Sequence, residues 1–368
     1  MPTIWETSVN SDDLLSSYSS LLDKDANSKG SFQDDYEFYC GQFKILPCPF
    51  IKASSFGDDE SCRVTNCIVD LSSWRAMLLA CCMIGSKVIE VAIHQSSITP
   101  QHISDLSKAC EKSARIKIVK LQYLPLELDG TIENPYLDAL TNLSNDITGI
   151  EYLSLKGNKL GDQIVKALVA SLSKNLKLKF INLGGNDLTD ESAKELFKAL
   201  RMNTSLRDIC LTENSISGEF LISILGPVLL GNEPATADDD AALKTITKYV
   251  GDRNKQIKEL NKKRKKAGLS DLPEYQLPSE CIVKRDGKSF IFNQCINSID
   301  LSRNPLDGTQ LQALVDLIDA ASATLSVSAS QMSLVCKGPL DISKDSYAQL
   351  VAFQCPWFRL VFSDGNTN

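Results

Sequence analysis

Residues 150–160 read IEYLSLKGNKL, residues 178–188 read LKFINLGGNDL, and residues 206–216 read LRDICLTENSI. Each stretch follows the pattern L-x-x-L-x-L-x-x-N-x-L, with other apolar residues at some of the leucine positions. The asparagine of each stretch lies 28 residues after the previous one. A fixed period of this size predicts a solenoid, in which each repeat packs on its neighbours.

Weaker copies extend the period in both directions. Residues 296–306, INSIDLSRNPL, match the pattern in full, and Val91 and Val119 mark earlier strands. After the last full copy, Val327 and Ala329 occupy the expected strand positions, so the next strand is predicted there. Atypical repeats at both ends are expected, because terminal repeats cap the open core of a solenoid.

An apolar stripe with helical spacing follows each strand phrase. Val165, Leu168, Val169 and Leu172 show the i, i+3, i+4, i+7 spacing of one helix face. Parallel strands stack about 4.8 Å apart, whereas helices are about 10 Å wide, so the array must bend. The predicted fold class is therefore an α/β solenoid, a curved horseshoe with parallel strands on the concave face and helices on the convex face.

The repeated asparagines are interpreted as structural. An amide side chain can both donate and accept hydrogen bonds, and it can satisfy backbone groups at the turn that follows each strand. We therefore expect Asn158, Asn186 and Asn214 to be buried and to have no catalytic role.

These phrases resemble the ribonuclease-inhibitor type of leucine-rich repeat over roughly residues 85–330. The resemblance implies a protein-binding function through the concave face or an edge, without naming the partner. Side chains that alternate with the buried strand residues would form the concave binding surface. The candidates are Tyr152, Lys156, Phe180, Asn182, Asp208, Cys210, Asp300 and Arg303.

The period breaks between Asn214 and Asn304, which are 90 residues apart. Two degenerate repeats would also fit this length, but no strand phrase in register occurs there. We therefore predict an insertion at 233–294 within one repeat. It comprises a helix at about 239–266, a proline-containing linker, and a β-hairpin that turns at Asp286-Gly287. The helix has a narrow apolar stripe in heptad spacing, with Arg253 at the one missing seam position. The stripe consists of Leu243, Ile246, Val250, Ile257 and Leu260.

The inserted helix is strongly basic, with ten basic and two acidic residues between positions 244 and 266. Four interpretations remain open: a solvated helix end, a site for an acidic protein or acidic tail, a nucleic-acid site, and membrane attachment. Nucleic acid is disfavoured because aromatic and basic residues are not interleaved elsewhere, and membrane attachment because the stripe is too narrow. The candidate binding residues of this helix are Lys258, Lys262, Lys263, Arg264, Lys265 and Lys266.

The two ends differ in composition. Residues 1–60 hold eleven acidic and four basic residues and account for the whole net charge of −7. They are predicted to be an acidic, serine-rich tail that is partly disordered, and residues 61–368 a solenoid with caps at both ends. The start lacks a secretory signal pattern, and the twelve irregularly spaced cysteines favour reduced thiols, so a cytoplasmic protein is expected.

No catalytic, cofactor or metal site is predicted. The only histidines are His94 and His102, and His94 has no nearby cysteine or acid at metal-ligand spacing. The sequence also contains no glycine-rich phosphate loop, no H-E-x-x-H and no G-x-S-x-G motif. The leading hypothesis is a non-enzymatic scaffold or adaptor. The alternative is a regulator, activating or inhibiting, of a small GTPase or other enzyme through the concave face.

Residues 254–266 and the Leu272-Pro-Glu stretch also resemble, more loosely, the leucine-rich repeat-containing protein 71 group of ciliary proteins. That resemblance implies a place on the axoneme of a cilium or flagellum. Tubulin or another axonemal protein would then be the partner of the basic helix.

Overall fold

The computed structural model describes residues 3–5, 18–24, 26–53, 60–126, 134–230, 234–266, 270–277, 282–285, 288–291, 293, 295–322, 332–337, 350, 355 and 358–361. The chain divides into two compact units. Unit 1 comprises Met1–Ser171 and Lys177–Asp187, and unit 2 comprises Leu172–Leu176 and Leu188–Asn368.

Strands and helices alternate along unit 1. Its elements are β1 (Thr3–Trp5), α1 (18–22), α2 (Phe32–Phe43), β2 (Ile51–Ala53), β3 (Ser61–Thr65), β4 (Cys67–Val69), α3 (Leu71–Cys82), β5 (Glu90–His94), α4 (Pro100–Lys112), β6 (Ile118–Gln122), α5 (Pro135–Leu143), β7 (Tyr152–Ser154), α6 (Asp162–Leu172) and β8 (Phe180–Asn182).

The main sheet of unit 1 has the order β2-β3-β5-β6-β7-β8. Its β2 is antiparallel to β3, and the pairs from β3 to β8 are parallel. Val91 pairs with Val119, and Leu153 pairs with Ile181. These four side chains are fully buried, so the apolar residue at the centre of each phrase forms a continuous core row.

The first 60 residues contain folded elements where they are described. Helix α2 begins after Ser31, whose hydroxyl accepts a hydrogen bond from the Asp34 amide, and it buries Tyr36 and Tyr39. Helix α2 packs against α3, which buries Trp74. Residues 6–17, in the predicted disordered start, lie outside the described residues.

Unit 2 contains the remaining repeats and the insertion. Its elements are α7 (Asp190–Leu200), β9 (Asp208–Cys210), a π-helical turn (Leu221–Leu225), α8 (Gly226–Leu230), α9 (Ala237–Lys266), β10 (Ile282–Arg285), β11 (Lys288–Ile291), β12 (Ser298–Asp300), α10 (Gly308–Ser322), β13 (Met332–Val335) and β14 (Phe358–Val361).

Direct pairing of β9 with β12 brings together two strands that are far apart in the sequence. Ile209 pairs with Ile299, although 90 residues separate them in the sequence. Between these strands lie the basic helix α9 and the antiparallel hairpin of β10 and β11. The predicted turn residues, Asp286 and Gly287, lie outside the described residues.

The prediction for the strand after β12 was wrong by seven residues. Ile299 pairs with Leu334, so β13 starts at Met332 rather than near Val327. Val327 and Ala329 themselves lie outside the described residues. The repeat that contains α10 is longer than 28 residues. Its extra residues shift the next strand away from the place that a constant period of 28 predicts.

The repeated asparagines hydrogen-bond to the backbone as predicted. In unit 1, Asn158 donates from Nδ2 to the carbonyl oxygens of Leu121 and Leu155, at 2.8 and 2.9 Å. Its Oδ1 accepts from the Leu124 amide at 2.8 Å. In unit 2, Asn304 donates to the Leu211 and Leu301 carbonyls, at 2.8 and 2.9 Å. Because backbone groups leaving the strand lack ladder partners there, the amides replace those partners.

Candidate protein-binding surfaces

The eight residues predicted for the concave face lie at the strand ends or on the face of the strands that points away from the buried core. We call the latter the outer face. Arg303 is exposed and the other seven are half-buried. They fall into two groups, one in each unit. Unit 1 carries Tyr152, Lys156, Phe180 and Asn182, and unit 2 carries Asp208, Cys210, Asp300 and Arg303.

An aromatic pair is the most apolar feature of the exposed sheet face in unit 1. Tyr152 and Phe180 are direct partners on β7 and β8. Their ring centroids are 4.2 Å apart and their planes differ by 4°. Because adjacent side chains of a strand point to opposite faces, burial of Leu153 and Ile181 leaves these rings on the outer face.

A cluster of charges lies on the same face of unit 1. Glu90 accepts hydrogen bonds from Ser61 at 2.8 Å and from Lys120 at 2.5 Å, and Arg63 lies 3.7 Å from it. Burial alone would raise the pKa of Glu90, but the hydrogen bonds from Lys120 and Ser61 and the charges of Lys120 and Arg63 lower it. Glu90 therefore stays ionised and bound to its neighbours, while Arg63 remains largely exposed.

Sequence reasoning missed Lys120, which links this cluster to the aromatic pair. Its ammonium nitrogen lies 5.7 Å from the centre of the Tyr152 ring, within cation–π range. The alternation of Ile118, Val119 and Lys120 could have placed it on the outer face, because Val119 is the core residue of that strand. Its ion pair with Glu90 was not visible in the sequence, since 30 residues separate them.

A second aromatic group in unit 1 surrounds Tyr123. The His94 ring lies 5.2 Å from it, and the Lys156 ammonium lies 5.9 Å from its centre. Gly157, with φ of 74°, lies under the ring, and a Cβ atom there would come within 2.4 Å of it. The glycine therefore permits this position of the Tyr123 ring, next to Lys156.

The exposed strand face of unit 2 has a different character. Asp208 pairs across the strands with Ser298, and Asp300 with Cys210. Partial burial raises the pKa of Asp208, and the charge of Arg207 opposes that rise. At these strand positions, small and acidic side chains replace the aromatic and cationic ones found in unit 1, and the cationic candidate of unit 2, Arg303, lies after the end of β12.

Arg303 forms an ion pair with Glu213 at 2.6 Å. The pair is surface-exposed on the arginine side, so it contributes little to stability.

Helix α9 is anchored along its first half. Ile246 and Val250 are buried with Leu176, Met202 and Ile291 in a satellite apolar cluster. Thr236 and Asp239 cap the start of the helix by reciprocal hydrogen bonds of 2.8 to 3.1 Å. The helix is therefore part of the folded unit and does not depend on its own propensity for stability.

Two asparagines bind the linker to the second half of α9. Asn254 donates to the Tyr275 carbonyl at 2.9 Å and accepts from the Tyr275 amide at 2.7 Å. Asn261 makes the same pair of bonds with Leu272, at 2.8 and 2.7 Å. Asn254 and Asn261 are seven residues apart, a helical rise of about 10.5 Å, and an extended chain covers nearly the same distance between Leu272 and Tyr275, which are three residues apart. These two pairs of hydrogen bonds, which we call the amide clamp, therefore hold the linker in register with α9.

The buried residues of α9 differ from the predicted heptad seam. The sequence placed Arg253 in the missing seam position, but Asn254 is the buried residue, at 8% exposure. Leu260, predicted for the apolar stripe, is 47% exposed. The line of buried residues shifts to Asn254 because the linker, rather than a second helix, covers this part of α9. The extended backbone of the linker needs hydrogen-bonding partners, which an asparagine side chain supplies.

The six predicted basic residues of α9 are exposed, except that Arg264 is half-buried. Two of them contact the linker: Lys258 lies 3.2 Å from Glu274, and Arg264 donates to the Ser270 carbonyl at 2.8 Å. Lys262 pairs with Glu259 within the helix at 2.6 Å. The arrangement leaves a cationic surface at the end of a helix that the apolar cluster anchors and to which the clamp binds the linker.

The clamp makes a testable prediction for the linker. Replacing Asn254 with alanine should raise hydrogen exchange at the amides of residues 270–277 by about tenfold or more, because the backbone of Tyr275 loses both partners. Hydrogen exchange followed by mass spectrometry measures this effect.

Asn261→Ala should act mainly near Leu272, and Gln256→Ala, on an exposed position of the same helix, serves as control. Equal protection in Asn254→Ala and in the control would contradict the clamp.

The histidines and cysteines do not converge on a reactive centre within the described ranges. His102 is buried, donates from Nε2 to the Val69 carbonyl and accepts at Nδ1 from the Thr99 amide. Burial lowers the pKa of His102 to about 4, against the opposing backbone hydrogen bond. The eleven described cysteines are free thiols, and no group of three His, Cys, Asp or Glu among described residues is placed to hold a metal ion.

Comparison with protein families identifies the repeats. A family model described as Leucine Rich repeat matches residues 150–169 and 174–197. A search of curated proteins found no match. Among the helices that the structure describes, none is long and apolar enough to cross a membrane.

Proposed function

We propose that this leucine-rich repeat protein is a non-enzymatic scaffold that binds two other proteins. Leucine-rich repeat domains generally mediate protein–protein interaction. One partner would bind the exposed strand face, and a second, acidic partner would bind the basic end of α9, defined as Lys258 and residues 262–266. A cytoplasmic location is part of this proposal.

The observation that carries the proposal is the anchoring of α9. A basic helix end that served only solubility would not need a buried apolar seam and a two-point amide clamp. Anchoring reduces the conformational entropy that the helix would lose on binding, so a partner meets cations that are already positioned. Lys263, Lys265 and Lys266 are exposed and extend beyond the clamp, which makes them the central contacts.

The partner that we propose for the basic end is tubulin or another acidic axonemal protein of a cilium or flagellum. The support is the loose sequence resemblance to ciliary proteins and the charge complementarity between a cationic helix end and acidic tails. This partner would bind without any contact to the strand face.

Replacing residues 262–266 with serine should weaken binding to purified microtubules by about tenfold at low salt. Removing five cations eliminates most of the local charge, and such contacts are screened by salt. Cosedimentation at two salt concentrations measures the affinity, and microtubules stripped of their acidic tails provide the complementary test.

The melting temperature of this variant should remain nearly unchanged, because four of the five cations are exposed and surface charges contribute little to stability. A matched control replaces five exposed lysines elsewhere with serine: Lys24, Lys87, Lys159, Lys166 and Lys174. Equal affinity of the two variants for microtubules would sink the proposed role of the basic end.

The alternative function is regulation of a small GTPase or another enzyme. Experiments on the same protein can distinguish it from the scaffold function. Proximity labelling in the native cell would identify the partner. If the purified chain accelerates GTP hydrolysis by a GTPase found in this way, the regulator hypothesis replaces the scaffold hypothesis. Cofractionation of the chain with salt-extracted axonemes would favour the scaffold hypothesis.

A further inference from the structure

In the charge cluster on the strand face of unit 1, the exposed charges are positive. Glu90, at 8% exposure, has its carboxylate covered by Ser61, Lys120 and Arg63. Arg63 keeps 56% of its side chain exposed, and Lys120 keeps 30%. A molecule approaching this face therefore meets cations, while the single carboxylate of the cluster is already neutralised.

The strand register places Lys120 beside the aromatic pair and Arg63 on the same face of the sheet. Glu90, Ile118, Tyr152 and Phe180 form one cross-strand row. Lys120 lies in the neighbouring row, two residues farther along its strand than Ile118. Neighbouring strands are about 4.8 Å apart, and two residues of a strand span about 6.6 Å.

Lys120 therefore stands beside the rings, whereas Arg63 lies three strands from Tyr152, about 14 Å across the sheet. We call this surface the cationic–aromatic patch, and it consists of Arg63, Lys120, Tyr152, Lys156 and Phe180.

We propose that the cationic–aromatic patch binds an acidic protein segment that carries an aromatic residue among its carboxylates. This inference rests on the proposed function and gives the chemistry of the partner of the strand face. Carboxylates would pair with Arg63 and Lys156, and the aromatic residue would lie against the ring edges of Tyr152 and Phe180. Arginine suits this role because its planar fork can bind a carboxylate through two hydrogen bonds.

The ring geometry favours a protein over a nucleic acid. Nucleobases bind to protein aromatics by stacking on open ring faces. Tyr152 and Phe180 face each other at 4.2 Å, and Lys120 lies over the Tyr152 ring. Both facing sides of the pair and the Lys120 side of Tyr152 are thus occupied, which leaves little open ring surface for a nucleobase. The ring edges suit edge-to-face contacts with a partner's aromatic side chain.

The strand face of unit 2 would not accept the same segment. Asp208 and Asp300 bring carboxylates to its outer surface, and like charges disfavour an acidic partner. The difference between the two faces gives the patch its selectivity, so the proposal concerns unit 1 alone.

The test uses the full chain with serine at residues 262–266, so that the basic end of α9 does not contribute. Binding is measured by fluorescence anisotropy with four probes: a random glutamate–tyrosine copolymer, a glutamate homopolymer, a lysine homopolymer and single-stranded oligo-dT. We expect the glutamate–tyrosine copolymer to bind most tightly, about tenfold more tightly than the glutamate homopolymer.

Two variants separate charge from aromatic contact. Arg63→Gln combined with Lys156→Gln should weaken binding of both acidic probes by about tenfold at low salt, because the paired cations are lost. Tyr152→Ser combined with Phe180→Ser should remove the preference for the copolymer while keeping binding of the homopolymer. The control, Lys159→Gln with Lys166→Gln, changes two exposed lysines outside the patch and should bind as the parent does.

Tighter binding of oligo-dT or of the lysine homopolymer would overturn the proposal, as would equal losses in the patch and control variants. Thermal unfolding of each variant shows whether a loss reflects misfolding; in that case, the single variants Arg63→Gln and Lys156→Gln replace the double variant, and each should weaken binding of both acidic probes by a smaller factor. If the patch binds acidic probes but residues 262–266 prove irrelevant to microtubules, the two-partner scaffold fails while this inference stands.

Discussion

Replacing Arg75 with methionine is expected to lower the free energy of unfolding by about 3–5 kcal/mol. The Arg75 and Asp105 side chains are 3% and 0% exposed, and Nε of Arg75 lies 2.8 Å from the Asp105 carboxylate. Methionine retains much of the apolar volume but leaves the carboxylate buried without its closest cation. Gln101 still donates to Asp105 at 2.8 Å, which is insufficient to balance a full charge.

Denaturant unfolding of the full chain measures this loss, with the double variant Arg75→Met/Asp105→Leu as a thermodynamic cycle. The double variant should recover part of the stability, because no uncompensated charge remains. Lys108→Met is the matched control, since Lys108 lies 4.0 Å from Asp105 and is 49% exposed. A loss in Arg75→Met no greater than in Lys108→Met would contradict the assigned role.

Replacing Asn186 with alanine should cost about 3 kcal/mol, because its amide serves several buried backbone groups at once. Its Oδ1 accepts from the Asn158 amide at 3.1 Å, and its Nδ2 donates to the Leu155 carbonyl at 3.0 Å. Alanine cannot satisfy either group, and Asn186 is fully buried, so water does not replace the side chain.

The same unfolding measurement on Asn182→Ala provides the comparison. Asn182 lies four residues earlier on the exposed side of its strand and accepts one bond, from the Gly184 amide at 2.9 Å. We expect a loss of about 1 kcal/mol or less for this variant. Equal losses at the two positions would show that burial of the amide is not what makes Asn186 important.

Much of the repeat structure could be predicted because its determinants are local and periodic. The phrase around Ile181 specifies a strand, a turn and a helix from residues close in the sequence, and each copy repeats the same requirement. The insertion was also predictable, since Asp238–Asp240 and the lysines near position 262 break the pattern visibly. The strand after Ile299 was misplaced because extra residues in a loop leave no periodic signal.

The candidate surfaces were predicted in part. Alternation along the strands placed Tyr152 and Phe180 on the outer face, but it did not reveal that their rings stack. Lys120 was missed, and Arg63 was not linked to Glu90, because a pairing between strands depends on register rather than on sequence distance. The partner-binding roles of all these residues remain predictions.

The sequence by itself determined the repeat, its asparagine positions and the place where it is interrupted, because these depend on spacing along the chain. The tertiary structure alone decided which charges remain exposed on the strand face and how α9 is held. Neutralisation of Glu90 and clamping of Tyr275 by Asn254 join groups that are 21 to 30 residues apart. Such contacts exist only after the strands and helix have packed, since packing brings the partners within hydrogen-bonding distance.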